Sequence, residues 1–149
     1  MATLVDTSVL GRLANRADLF HGVAQAAIAT LHQRGEKLHV TAQNLIEFRN
    51  FATRPAGANG LGLSAPAAAG MAATFEAAFA LLDESPAIYP AWRSLADVLG
   101  VTGKQVHDAR LVAVCHVHGV PRLLTFNVGH FLRLGAIPPG VVVIDPAAV

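Results

Sequence analysis

Apolar positions along the chain fall into two kinds of block, separated by polar, glycine or proline breaks. Thr3 to Val5, Leu38 to Val40, Arg122 to Phe126 and Val141 to Ile144 are short runs without helical period and predict strands. Between them the period lengthens. Phe20, Val23, Ala24, Ala27, Ile28 and Leu31 recur at three and four, predicting a helix over Phe20 to His32 that Gly35 stops. Thr7 or Ser8 is expected to cap a helix after the first strand. Thr41 caps another that runs through Phe51, with Leu45, Phe48 and Ala52 on one side. Ser64 and Pro66 open an Ala-rich helix to about Asp83, and Ser85 to Ile88 is expected to be a short strand, at an edge because of Pro86. Ala91 to Leu99 is helical and ends at Gly100. Thr102-Gly103-Lys104-Gln105 matches a capping box. The helix after it, through His118 to its stop at Gly119, is apolar nearly all round and so is expected to be central. A short turn of helix is expected over Asn127 to Leu132.

Strands that alternate with helices predict an α/β fold, a three-layer α/β/α arrangement on a mainly parallel sheet, within one domain over residues 1–149. A hydrophobic content of 53% with 14% charged residues excludes a disordered chain. Apolar stretches are too interrupted to cross a membrane, and the N-terminus has no basic n-region, so a cytoplasmic protein is expected. Cys115 stands alone, which excludes an intrachain disulfide and a cysteine zinc site. A net charge of +1 gives no overall signal for nucleic acid, although it leaves room for a local basic patch. So little charge also points to an apolar surface covered by a partner. Residues 53–64 are Gly-rich but lack phosphate-loop spacing and a Gly-Lys-Ser/Thr end.

Only ten residues are acidic, and Asp6, Glu47 and Asp108 lie in apolar surroundings, where an ionised carboxylate is costly without a positive partner. Parallel sheets bind ligands beyond the C-terminal ends of their strands. Asp6 and Asn127 are predicted at such ends, and Glu47 and Asp108 in early turns of helices that start at the same edge. A divalent cation is the simplest partner for such a set, and one held by carboxylates with open positions suits phosphodiester cleavage. Plainer roles stand beside this. Asp6 could accept a backbone N–H as a cap, although Thr7 would serve as well; Glu47 could be a solvated helix residue. Asp108 could complement a helix N-terminus, except that the expected capping box begins well before it. Asn127 fits an N-cap as well as a ligand. Thr7, Ser8 and Thr125 are local hydrogen-bonders that could also position a water or a phosphate. His107 should project about 100° from Asp108, towards packing or an interface. His116 and His118 fall on different helix faces, Cys115 fits a small core residue, and His130 fits a structural role better than a phosphate contact. Arg12, Arg49 and Arg110 are read as solvated or structural before RNA-backbone contacts. No serine has a histidine and carboxylate at recognisable spacing, so no protein nucleophile is expected.

Leu4-Val5-Asp6-Thr7-Ser8, Glu47 in its helix, His107-Asp108-Ala109-Arg110-Leu111-Val112-Ala113, and Leu124-Thr125-Phe126-Asn127 followed by His130-Phe131 together resemble PIN-domain ribonucleases, among them VapC-type toxins of toxin–antitoxin pairs. The pieces occur in the family's order over nearly the whole chain, and Asn59 to Ser64 also looks like a loop found in part of the family. The resemblance implies RNA cleavage by water activated on Mg²⁺ or Mn²⁺. Asp6, Glu47 and Asp108 would hold the ion, and Asn127 would add a neutral ligand. It also implies a homodimer and an antitoxin whose C-terminal segment blocks the site. The chain departs at the fourth acidic position, because Asn127 and His130 are both non-acidic, so a second ion should be held weakly. The alternative is a catalytically weak PIN-fold module that binds RNA or a partner. A phosphoaspartate receiver is disfavoured because neither lysine, Lys37 or Lys104, follows the last strands.

Overall fold

Leu4 and Val5, adjacent and fully buried, belong to different hydrophobic clusters because successive strand residues face opposite sides of a sheet. They sit on β1 (Ala2–Val5), the central strand of the computed structural model, which describes residues 1–149. The sheet comprises β2 (Lys37–Thr41), β3 (Ala80–Leu82), β4 (Arg122–Leu124) and β5 (Val142–Ile144), in the order β3-β2-β1-β4-β5. Every pairing is parallel, with Val5 opposite Leu124 on the β4 side and Leu4 opposite His39 on the β2 side. Seven helices connect and cover it: α1 (Thr7–Ala14), α2 (His21–Gln33), α3 (Ala42–Thr53), α4 (Ala65–Ala78), α5 (Ile88–Leu99), α6 (Gln105–His118) and α7 (Val128–Gly135).

The clusters define the layers. Val5 and Leu124 meet Val9 and Leu10 of α1, Leu31 of α2, Phe48 of α3 and Phe75 of α4. Leu4 and Leu123 meet Leu95 of α5, Val112 and Cys115 of α6 and Phe131 of α7. The expected three-layer α/β/α architecture is therefore present, and its sheet is wholly parallel. The chain builds outward from β1 through β2 to β3, then crosses to β4 and builds outward to β5. Between β1 and β4 the direction of winding reverses, and that is where the C-terminal edge opens into a crevice. No helix is long and apolar enough to cross a membrane.

Four local expectations are corrected. The Ala-rich helix ends at Ala78, and Ala80–Leu82 leave it as β3; Ser85 to Ile88 is no strand but the turn into α5. Phe75 and Phe79 continue the helical spacing in sequence, which hides the exit, yet the free edge of β2 offers the backbone a ladder that competes with one more helical turn. The capping box at Thr102 does not form: α6 starts at Gln105 with Lys104 at the cap position and no side-chain cap bond, so the frame is displaced by two residues. At α1 the cap is neither Thr7 nor Ser8 but Asp6. The Thr41 cap forms as expected, reinforced by Asn44 in a reciprocal box.

At the opposite, N-terminal edge of the sheet, Glu36 is nearly buried and pairs with Arg122, whose side chain keeps 23% exposure, while Thr3 Oγ1 donates to Glu36 Oε2 at 2.6 Å. Removing the cation strands a buried carboxylate, whereas neutralising the acid leaves an arginine that can reach water. Arg122→Ala should therefore cost about 3 kcal/mol and Glu36→Gln about 1 kcal/mol in urea unfolding. Equal costs, or the reverse order, would refute the burial asymmetry.

Candidate functional site

Asp6 follows β1 directly and stays buried at 5% exposure because its Oδ2 is saturated. That oxygen accepts from Ser8 N at 3.3 Å, Ser8 Oγ at 2.7 Å and Thr125 Oγ1 at 2.8 Å, while Oδ1 accepts none. The cap thus uses one carboxylate oxygen and leaves the other without a donor. Thr125, just past β4, also accepts from Asn127 N at 3.0 Å, and Ser8 Oγ accepts from Phe126 N at 3.1 Å. The strand-end segments after β1 and β4 are laced together by these hydroxyls.

Glu47, one and a half turns into α3, is held at both oxygens: Thr7 Oγ1 donates to Oε2 and Gln43 Nε2 to Oε1, each at 2.8 Å. Gln43 Nε2 also donates to the His107 carbonyl at 2.9 Å, which ties α3 to the start of α6. Asn44, fully buried, donates through Nδ2 to Thr7 Oγ1 at 3.1 Å. Asp108 lies in the first turn of α6, not well inside it, so complementing the helix N-terminus is part of its role after all. Asn127 occupies the cap position of α7, yet its side chain makes no cap bond. Asp6, Glu47, Asp108 and Asn127, with Thr7, Ser8 and His130, line one cavity of about 760 Å³.

Asp108 carries the electrostatic signature. Burial, then the charge of Asp6 and, more weakly, that of Glu47, push its carboxyl up to about 6, with His130 and His107 opposing. His130 Nδ1 stands 3.6 Å from Asp108 Oδ2, so this histidine belongs to the cavity wall and is not merely structural. No three carboxylate or imidazole side chains are drawn into a closed shell. What remains suits a hard ion that keeps several of its waters: one free oxygen on Asp6, the half-buried Asp108, and a neutral carbonyl oxygen at Asn127.

Other residues singled out by sequence divide clearly. Thr7, Ser8 and Thr125 hold carboxylates in place. Arg110 is committed to Glu84 at 2.6 Å and Gln43 at 3.2 Å, and Arg49 is exposed outside the cavity. Arg12 lines the cavity, but its guanidinium lies over the Phe126 ring at 4.4 Å, donates to the Ser8 carbonyl at 3.1 Å and faces Asp18 at 3.7 Å. His107 is exposed and offers its carbonyl to Gln43, its ring acting on Asp108 only as a weak opposing charge, and Cys115 is buried. Sequence reasoning passed over Gln43, Asn44, Arg54, Asn59 and Lys104. The first was legible as a Gln–Glu pair spaced i, i+4, and Asn44 as the third residue after a threonine cap.

Because the folded Asp108 binds its proton more tightly than an unfolded carboxylate, the native state holds more protons between about pH 4 and pH 6, and stability falls as pH rises through that window. In metal-free buffer Asp108→Asn should flatten that fall and be more stable than the parent at pH 7.5 by about 1 kcal/mol, the shift being discounted for the solvent that reaches this half-buried group. Thermal melts of both proteins from pH 4 to pH 8 check this, and parallel pH profiles would refute it.

No protein-family profile and no curated protein matches the chain in sequence. Solved structures do match in shape. The VapBC2 complex of Rickettsia felis, crystallised with a DNA fragment from its promoter, has a chain that superposes with a TM-score of 0.71 at 13% identity, over 97% of this chain and 98% of that one. FitAcB of Neisseria gonorrhoeae gives 0.65 at 20% identity over 99% of each chain. VapC20 of Mycobacterium tuberculosis, a toxin that cleaves the sarcin–ricin loop, gives 0.62 at 20% identity over 86% of this chain and 92% of that one. At such identities the kinship is one of architecture, and the chain has the three-layer PIN-like fold that its motifs resemble.

Proposed function

We propose that the chain is a metal-dependent endoribonuclease and the toxin of a toxin–antitoxin pair. The observation that carries this is the convergence of Asp6, Glu47 and Asp108 from three separate elements on one cavity at the winding reversal, with Asp108 pushed up to about 6 by burial and its like-charged neighbours. A fold spends stability to hold three carboxylates this way, and a divalent cation would relieve the repulsion. Likeness in fold to a toxin that cleaves the sarcin–ricin loop supports RNA as the substrate.

In this reading Asp6 Oδ1 and Asp108 hold Mg²⁺ or Mn²⁺ directly or through waters, and Asn127 adds a neutral oxygen. When bound, the ion lowers the pKa of a water and offsets charge growing on the scissile phosphate. Glu47, locked by Thr7 and Gln43, takes hydrogen bonds from waters around the ion or acts through them as proton acceptor. Ser8 and Thr125 keep Asp6 aimed. VapBC2 and FitAcB are complexes, and by analogy this chain would pair with an antitoxin that places an arginine in the acidic cavity, where a planar fork can engage two carboxylates. A homodimer in the cytoplasm is part of the same reading. The neutral Asn127 favours one further reading, an RNA- or partner-binding module with weak chemistry.

Incubation of the purified chain with RNA, with Mg²⁺, with Mn²⁺ and with chelator, tests the proposal. Cleavage should require the ion, and Asp6→Ala or Asp108→Ala should lower it by more than about 100-fold, beyond the usual cost of losing a group that only supports a ligand. RNA bound but left intact by the parent at every metal concentration would decide for the binding module. A metal titration by calorimetry gives a second check. Asn127→Asp restores a charge in nearly the same shape, so it should tighten Mn²⁺ binding and lower the concentration for half-maximal cleavage. Unchanged affinity would place Asn127 outside the coordination sphere.

A further inference from the structure

Four carboxylates of the cavity wall, Asp6, Asp18, Glu47 and Asp108, are matched by three cations, Arg12, Arg54 and Lys104. The cations are not alike. Arg12 is spoken for: it faces Asp18, donates to the Ser8 carbonyl and lies over Phe126. Arg54 lies over the Phe51 ring at 5.8 Å, but neither it nor Lys104 has a carboxylate within salt-bridge distance, and both are exposed at the cavity. They come from different elements, Arg54 from the end of α3 and Lys104 from the start of α6.

The Gly-rich segment after Arg54 is built to keep that residue where it is. Gly62 N donates to the Arg54 carbonyl at 2.8 Å, Leu61 N to the Phe51 carbonyl at 3.2 Å and Leu63 N to the Ala52 carbonyl at 2.9 Å, so the loop folds back onto the last turn of α3. Gly60 passes so close beneath that a Cβ there would overlap the Arg54 carbonyl oxygen, an approach no side chain permits. Asn59 takes the left-handed conformation (φ 59°) and also lines the cavity. Leu61 and Leu63 pack against the core, which anchors the loop. A surface loop with no such duty would not need a backbone approach this tight.

We infer that Arg54, held by the Gly-rich loop, and Lys104 are positioning residues that grip phosphates neighbouring the scissile one, with the Asn59 amide as a third donor. The inference rests on the nuclease reading and adds to it the residues that hold the strand. The chemistry is one-sided in the right way: carboxylates gathered for a cation repel a polyanion, and cations without a carboxylate partner at the same cavity offset that repulsion without entering the metal's surroundings.

The test is fluorescence anisotropy of a labelled single-stranded RNA titrated with the Asp108→Asn chain, which should leave RNA intact, in Mg²⁺ buffer at several KCl concentrations. Arg54→Gln and Lys104→Gln, each in that background, should weaken binding several-fold and reduce the slope of log affinity against log salt by about 0.7 for each phosphate no longer gripped. Arg49→Gln, on the exposed side of α3, should change neither. Gly60→Ala should weaken binding as Arg54→Gln does; melting curves show whether it folds, and the two charge variants decide the matter if it does not. Slopes that stay at the Asp108→Asn value in both charge variants overturn the clamp and leave the nuclease reading standing. Absence of both binding and cleavage by the parent chain overturns the nuclease reading, and the clamp with it.

Discussion

Beyond the ladder that joins β1 to β4, a single carboxylate oxygen ties the two strand ends together. Oδ2 of Asp6 gathers hydrogen bonds from Ser8 and from Thr125, the latter 119 residues away in sequence, and so fixes the end of β1 to the end of β4 at the reversal of winding. The bonds are charge-assisted and almost wholly shielded from water, the circumstances in which such bonds are strongest. They also settle which way the carboxylate faces, because three donors on one oxygen leave the other as the outward acceptor. Order in the crevice therefore derives from this hub: Ser8 holds the Phe126 amide, Thr125 holds the Asn127 amide, and Thr7, next to the hub, holds Glu47.

The same edge carries an opposing force. Asp6, Glu47 and Asp108 repel one another in a cavity whose walls limit solvation, and the fold answers unevenly. Asp6 and Glu47 are wrapped in donors, whereas Asp108 has only a histidine at 3.6 Å. Burial first, and the repulsion after it, act on Asp108, the carboxylate with the fewest hydrogen bonds. Sites that store tension in one member of a group leave that member to respond when a ligand arrives.

Much of this was legible in sequence. Strand and helix order follows from period, and the acids stand out because a chain with few charges placed three among apolar neighbours. What was hidden has physical causes. The exit from α4 into β3 is decided by an open ladder on β2, a partner distant in sequence that no local window contains. The capping box at Thr102 failed because four residue types in order do not fix the frame of a helix start. His130 read as structural because its nearness to Asp108 arises only once α6 and α7 are docked side by side. Arg54 and Lys104 were passed over because their lack of a carboxylate partner is a property of three dimensions, as is the approach of Gly60 to the Arg54 carbonyl.

The bond between Thr125 and Asp6 also sets a timetable. In synthesis the partner hydroxyl is added 119 residues after Asp6. At about 5–20 residues per second this separation lasts on the order of ten seconds, and during it β1 has no β4 to pair with. Order in the crevice therefore cannot begin until Thr125 has been added and β4 has paired with β1.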